Sequence, residues 1–350
     1  MKKSILLISF AFLAFSCQKP PTGFVPEENA GEACRIMFWN AENLFDCRND
    51  SLTQDEEFLP NGVRSWTLAR YKQKINNMYK VFIAAGDWNP PDLIGLCEIE
   101  NKSVLYDLVK NSPFSYYNYR FIHYDSPDRR GIDVALLYNP STIVVLSDTA
   151  ITVSLSAETS SVTRDILFAR VKIITGDTLS VFINHWPSKY GGAGITEDLR
   201  ESVANTLSKN INKLLDKNPY EKIIIMGDFN DPPESSSLAI LANKKYPTAS
   251  NESQTLVNLA KDYTDPIPGS YKFDGTWQLI DQILVSNNLV TNRGATCLKP
   301  NSFRVFAPPF LLERDEKYGG SKPFRTYTGF IYHGGFSDHL PIILDLFAGQ

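Results

Sequence analysis

The sequence predicts a layered α/β protein, on three observations. Short apolar runs of strand length alternate with longer stretches whose apolar residues recur at helical spacing. The composition is that of a globular chain, 43% hydrophobic and 21% charged over 350 residues. No internal repeat or interdomain linker divides that length, which suffices for one large α/β domain or two smaller ones. A formal net charge of -4 excludes a bulk polycation, so a nucleic-acid partner would need a local basic footprint.

At the amino end Lys2 and Lys3 precede an apolar run from Ile5 to Phe15, followed by Ser16-Cys17. A positive start and an apolar stretch too short to span a bilayer mark an export signal. The stretch LAFSC resembles a bacterial lipobox, in which the cysteine is lipidated; the other reading is a plain signal peptide with a stray Cys17. Residues 18–31 are rich in Pro, Gly and polar residues and form a tether. The expected organisation is a lipoprotein signal peptide at 1–17, a tether at 18–34 and a catalytic domain at 35–350. The chain is then exported and membrane-anchored through a lipid on Cys17, at the periplasmic side or the cell surface. No acidic run follows Cys17, which favours the periplasmic side.

Cys34, Cys47, Cys97 and Cys297 show no CxxC or Cys/His spacing, which speaks against a zinc site. Export permits pairing; Cys34 and Cys47 either pair or stay as buried thiols.

Arg35–Trp39 is the first strand and runs into Asn40, Glu42 and Asn43. Leu68, Tyr71, Ile75, Met78 and Phe82 share one face of a helix over 65–85, which Gly86 ends. After a turn at Trp88–Pro91, Asp92–Cys97 is a second strand, with Glu98 at its end, and 103–109 a second helix. Strands follow at 119–124 and 134–138, separated by Asp128-Arg129-Arg130-Gly131. Further strands at 142–146, 166–174 and 179–183 lead into Asn184 and His185. Val203, Leu207, Ile211 and Leu214 define a helix over 197–215. Ile223–Met226 is a continuous apolar run stopped by Gly227, as in a strand buried on both faces. It delivers Asp228 and Asn230 at its carboxyl end. Trp277–Val285 is a strand with Asp281 inside it, and 299–336 a long functional loop. Asp338 and His339 precede the final strand, 340–347.

Polar residues therefore gather at five strand ends: Asn40/Glu42, Glu98, Asn184/His185, Asp228/Asn230 and Asp338/His339. Each alone is explained by an ordinary turn exit. Five on one edge of a layered α/β protein form a common mouth, where ligand sites lie. The hard oxygen donors among them (Asn40, Glu98, Asp228, Asp338) suit Mg²⁺, Mn²⁺ or Ca²⁺.

In order, WNAENLF, DLIGLCEIEN, RRGIDVALLY, NHWPSKYGG, IIIMGDFNDPP, WQLIDQILVS and FSDHLPI resemble the endonuclease/exonuclease/phosphatase superfamily, in the flavour of its secreted bacterial nucleases. The resemblance covers about Arg35 to Leu346. It implies a four-layer sandwich of two mixed β-sheets flanked by helices. It further implies Glu98 as the main metal ligand, Asn40 as a holder of metal or phosphate, and Asp338 in the metal and hydrogen-bond network. Asp228 then activates or positions the attacking water, and Asn230 orients phosphate. His339 acts on the scissile phosphate with Asp281 orienting it, and His185 is the second histidine. Phosphodiester hydrolysis needs such a set, because attack on an anion requires both charge neutralisation and an activated water.

Arg130 and Arg164 are candidate phosphate-binding cations, as are Lys189 and Arg325; each is equally well read as a solvated surface charge. Two departures bear on the branch. Cys97 replaces the glutamine that many members carry before the metal glutamate, and Ile280-Asp281-Gln282 stands where the 5-phosphatases have Cys-Asp-Arg. The run FAPPFLL at 306–312 keeps a sphingomyelinase-like branch open, or else belongs to the core.

The expectation is thus a Mg²⁺-dependent phosphodiester hydrolase, with Mn²⁺ or Ca²⁺ as alternatives, acting as a monomeric, exported DNA endonuclease. The alternatives are a phosphatase or phospholipase on small or lipid phosphates, and a non-catalytic binding lipoprotein. The intact set Glu98, Asp228, Asn230, Asp281 and His339 speaks against the last.

Overall fold

The computed structural model describes residues 32–153, 162–189, 193–242, 244–246, 254–291 and 295–348. The expected signal peptide, Cys17 and the tether up to residue 31 lie outside the described residues.

Along the chain run β1 (Glu32–Leu44), α1 (Leu68–Ala85), β2 (Leu93–Ile99), α2 (Lys102–Lys110), β3 (Arg120–His123), β4 (Asp133–Tyr138), β5 (Ile143–Ile151), β6 (Ile166–Ile173) and β7 (Thr178–His185). Then come α3 (Ala193–Lys217), β8 (Lys222–Asp228), α4 (Ser236–Ala242), β9 (Leu256–Asn258), β10 (Tyr271–Phe273), β11 (Thr276–Gln278), β12 (Asp281–Ser286), α5 (Asn287–Val290) and β13 (Thr296–Leu298). The end of the chain carries β14 (Arg304–Val305), β15 (Leu312–Arg314), β16 (Ser321–Pro323), β17 (Tyr327–Thr328), β18 (Ile331–Tyr332) and β19 (Ile342–Ala348).

The first large sheet has the order β13-β19-β1-β2-β4-β3, with β14 also on β19; the second has β5-β6-β7-β8-β12-β9. Both are mixed, with a single parallel pair in each, β1 with β2 and β7 with β8. The β8 run shows how the layers form. Ile224 and Met226 enter the core between the two sheets, whereas Ile223 and Ile225 pack with Val203, Leu207 and Ile211 of α3. A strand alternates its side chains, so a run apolar at every position must be covered on both faces. Each isoleucine buried this way contributes about 2 kcal/mol. On the opposite side, Tyr71, Ile75 and Met78 of α1 and Val104 and Leu108 of α2 cover the first sheet. The result is the expected order of helices, sheet, sheet, helices.

Two local expectations are corrected, and two open alternatives are decided. The strand expected over 277–285 is two strands, because the chain changes partner: Gln278 pairs with Tyr271 of β10, whereas Asp281 pairs with Asp228 of β8. The 299–336 segment is not irregular throughout but carries the β15–β16 and β17–β18 hairpins. Within it Leu311 is buried and Phe306, Phe310 and Leu312 pack on the core, so FAPPFLL is no free apolar hairpin. Cys47 has a free thiol; Cys34 lies near the start of β1 and Cys47 beyond its far end, which leaves the pair too far apart to bridge.

Candidate active site

The parallel pair of each sheet ends at the same mouth. Asn40 lies on β1, Glu98 on β2, His185 on β7, Asp228 on β8 and Asp281 on β12. Pairing sets the depth: His185 lies beside Asp228 across β7–β8, and Asp228 beside Asp281 across β8–β12. Irregular register after Asn40 in the β1–β2 ladder and after Cys97 in the β2–β4 ladder interrupts both at this level. Glu42, Asn43, Glu98 and Asn230 accordingly take left-handed φ of 49, 59, 61 and 53°. Non-glycine residues are held there only where surrounding contacts enforce it.

Those contacts converge on Asp228. Asn40 Nδ2 donates to Asp228 Oδ2 at 3.1 Å and to Glu98 Oε1 at 3.2 Å. His185 Nε2 stands 3.7 Å from Asp228 Oδ2 and 3.9 Å from Glu98 Oε1. From the other side His339 Nε2 stands 3.8 Å from Asp228 Oδ2, while its Nδ1 is 2.7 Å from Asp281 Oδ2. The Asn230 backbone N–H donates to Asp228 Oδ1 at 2.9 Å. His339 is braced further by Tyr271, stacked on its ring at 4.7 Å, and by Trp39, whose indole N–H donates to its carbonyl at 2.9 Å.

Protonation follows from this crowding. Burial pushes the Asp228 carboxyl up to about 7, opposed by His339. Burial pulls His339 down, but Asp281 and Asp228 together outweigh it and hold the imidazole well above the ordinary histidine range. His185 goes the other way, driven well below that range by burial and by Arg164 and Arg130. The two histidines thus differ in charge near neutral pH: His339 is cationic and His185 neutral.

The donor chemistry fits a hard divalent cation. Glu98 and Asp228 are carboxylates bridged by one Asn40 amide nitrogen, and burial, with Asp281 adding to it, makes the Asp228 carboxyl more readily protonated than usual. One or two carboxylates with water and substrate oxygens suit Mg²⁺. Cys97 lies with His185 and Asp228, but burial and Asp228 push its thiol well above the usual range. A protonated thiol is no ligand.

Several expected roles are changed. Asn40 turns its amide nitrogen to the carboxylates, and its Oδ1 accepts the Glu42 N–H at 2.9 Å. Asp338 is bound by Arg325 Nη2 at 2.9 Å, so its carboxylate is occupied by a guanidinium. Asn230 Nδ2 donates to the Trp186 carbonyl at 3.0 Å while its backbone N–H holds Asp228, so the residue braces the β7 and β8 ends. Arg164 is buried: it pairs with Asp128 at 3.1 Å and donates to the His185 and Trp186 carbonyls at 3.2 and 2.6 Å. It fixes the β7 end and offers no free guanidinium to phosphate. Arg130 is half-exposed beside Asp128, at 3.5 Å.

Other supports have no role assigned from the sequence, although Glu42 stands in its strand-end set. Glu42 accepts the Thr326 and Tyr327 N–H groups at 2.6 and 3.3 Å. Lys74 is buried with its ammonium pulled down to about 8 by burial, and donates to Thr326 Oγ1 at 2.7 Å and the Phe336 carbonyl at 2.5 Å. Ser270 donates to Asp281 Oδ2 at 2.5 Å. Lys74 had a visible signal, a charge three residues after Tyr71 on the apolar face of α1; Ser270 had none.

The model of the Endonuclease/Exonuclease/phosphatase family matches residues 35–347. No curated protein sequence matches the chain. Solved structures share its fold. A mannosyl-6-phosphatase from Bacteroides thetaiotaomicron superposes with a TM-score of 0.58 at 16% identity, over 90% of this chain and 99% of the other. D. rerio TDP2, complexed with single strand DNA product, gives 0.54 at 15% over 89% and 98%. The human Nocturnin catalytic domain gives 0.55 at 16% over 90% and 94%. With its layers, its strand-end site and the match over nearly its whole length, this chain belongs to the endonuclease/exonuclease/phosphatase family of phosphoric-ester hydrolases.

Proposed function

We propose that this protein is a divalent-cation-dependent phosphodiester hydrolase acting on nucleic acid, as an endonuclease on DNA. The observation that carries the reading is the convergence of His339, His185 and Asn40 on one carboxylate oxygen of Asp228, at 3.8, 3.7 and 3.1 Å. In this reading a water and one phosphoryl group bind beside that oxygen. Ionised Asp228 takes the proton of the attacking water. As the water oxygen bonds to phosphorus, the P–O bond to the leaving alcohol breaks, and protonated His339, held by Asp281, gives its proton to the departing oxygen. Neutral His185 and the Asn40 amide orient the oxygens. Mg²⁺, or Mn²⁺ or Ca²⁺ of the same hard class, would be held by Glu98 with Asp228 beside it, and supplies charge neutralisation when bound.

The second reading, a phosphatase or phospholipase, draws support from two features. The chain is net acidic at -4, which weakens non-specific DNA affinity. Phe330 and Ile331 are 62% and 69% exposed at the β17–β18 turn, apolar tips that a lipid substrate would cover. We further propose a monomer of the secreted bacterial branch, anchored by lipid on Cys17. The leader residues support this, and loss of radiolabelled palmitate incorporation in Cys17→Ser tests it.

The deciding experiment is plasmid nicking with Mg²⁺ or Mn²⁺, set beside bis-p-nitrophenyl phosphate, a sugar monophosphate and sphingomyelin. Nicking abolished in His339→Ala supports the nuclease. Turnover of only the monoester or the lipid transfers the assignment to that class. Wild type indistinguishable from His339→Ala on every substrate removes the hydrolase reading.

A further inference from the structure

The β3–β4 connection gathers a second set of donors, made of none of the residues above. His123 closes β3 and pairs with Ala135 of β4; Asp133, two residues from Ala135, projects to the same face. The His123 ring is fully buried, yet neither of its nitrogens has a hydrogen-bond partner. Nε2 nonetheless lies 3.0 Å from Asp133 Oδ2, and one ring nitrogen and one oxygen each from Asp125 and Asp133 all stand within 4.8 Å of one another. Close approach without a directed hydrogen bond is the arrangement of two ligands of one ion. Atoms about 2.1 Å from a shared cation stand roughly 3 Å apart, with their lone pairs aimed at it and not at each other.

The carboxylates are prepared for that role. Asp133 Oδ1 accepts the Ser126 backbone N–H at 2.9 Å and the Ser126 hydroxyl, which orients Oδ2 toward the ring. The Asp125 side chain is 81% exposed and gives an ion its way in. We propose that His123, Asp125 and Asp133 bind one borderline first-row divalent cation, Zn²⁺ or Mn²⁺, with water completing its shell. One imidazole with two carboxylates suits these ions better than Ca²⁺, which takes oxygen alone. The same connection carries Asp128, the partner of Arg164, so the ion would stiffen the loop that supports the His185 carbonyl.

The test is equilibrium dialysis of the full chain against Zn²⁺, repeated with Mn²⁺, with bound metal counted by elemental analysis. His123→Ala is expected to bind one equivalent fewer than wild type, and Glu98→Gln to keep that equivalent. Asp125→Asn, an exposed change that leaves folding alone, is expected to weaken the site by about tenfold or more, and decides the matter if His123→Ala does not fold. Wild-type uptake and affinity in the folded His123→Ala or in Asp125→Asn overturn the proposal.

Discussion

The Nδ1 of His339 lies 2.7 Å from Oδ2 of Asp281, across 58 residues of sequence. Asp281 is buried and already accepts the Ser270 hydroxyl on the same oxygen, so the ring is held in one orientation with Nε2 facing Asp228. Asp281→Asn removes the charge that keeps the imidazole cationic. The expected result is a fall in kcat of about 10²–10⁴ with a smaller change in KM. An NMR titration should show the His339 pKa lowered; an unchanged value contradicts the pairing.

Cation binding should be proton-linked through Asp228. Its carboxyl sits near 7 in the metal-free protein, through burial, and only the ionised form attracts a cation. Affinity for Mg²⁺ therefore rises as pH increases through about 7 and levels off above it, with a proton released on binding. Calorimetry in buffers of different ionisation enthalpy measures that proton. Asp228→Asn should abolish the release; a flat pH profile in wild type would refute the linkage.

Arg164 separates a structural cation from a phosphate-binding one. Both it and Asp128 are buried, so Arg164→Met leaves Asp128 only the half-exposed Arg130 at 3.5 Å, at a cost of about 3 kcal/mol in urea unfolding. The kcat falls as the His185 and Trp186 carbonyls lose their donor. A variant of normal stability with only KM raised would return Arg164 to the phosphate.

At Gly227 there is no room for a side chain. A Cβ there would lie 2.5 Å from the Asn184 carbonyl oxygen and 2.7 Å from the Asn184 Cβ. Gly227→Ala must push β7 from β8 where His185 and Asp228 pair, costing about 1–3 kcal/mol and lowering kcat together with stability. Thermal unfolding and steady-state kinetics on one preparation check both; full activity at wild-type stability excludes the steric account.

The layered α/β class and the strand-end residues are legible in the sequence, because both rest on local patterns. An unbroken apolar run such as Ile223–Met226 must be covered on two faces wherever it lies, and it must deliver Asp228 where it stops. The helix faces of α1 and α3 follow from the same periodicity. The Gln278–Asp281 break is not legible, since both halves are strand-like and only their different partners separate them.

What the sequence by itself determined is which groups reach the mouth: Glu98, His185, Asp228, Asp281 and His339. What only the tertiary structure decided is what each group faces. Asn40 meets Asp228 across 188 residues and Arg325 meets Glu42 across 283, and no periodicity reports on contacts so distant. The direction of an amide, the burial of Arg164 and the opposite charges of His339 and His185 depend on desolvation and on neighbours supplied by the other sheet. Charge and hydrogen-bond roles are properties of the assembled site, whereas strand and helix faces are properties of the chain.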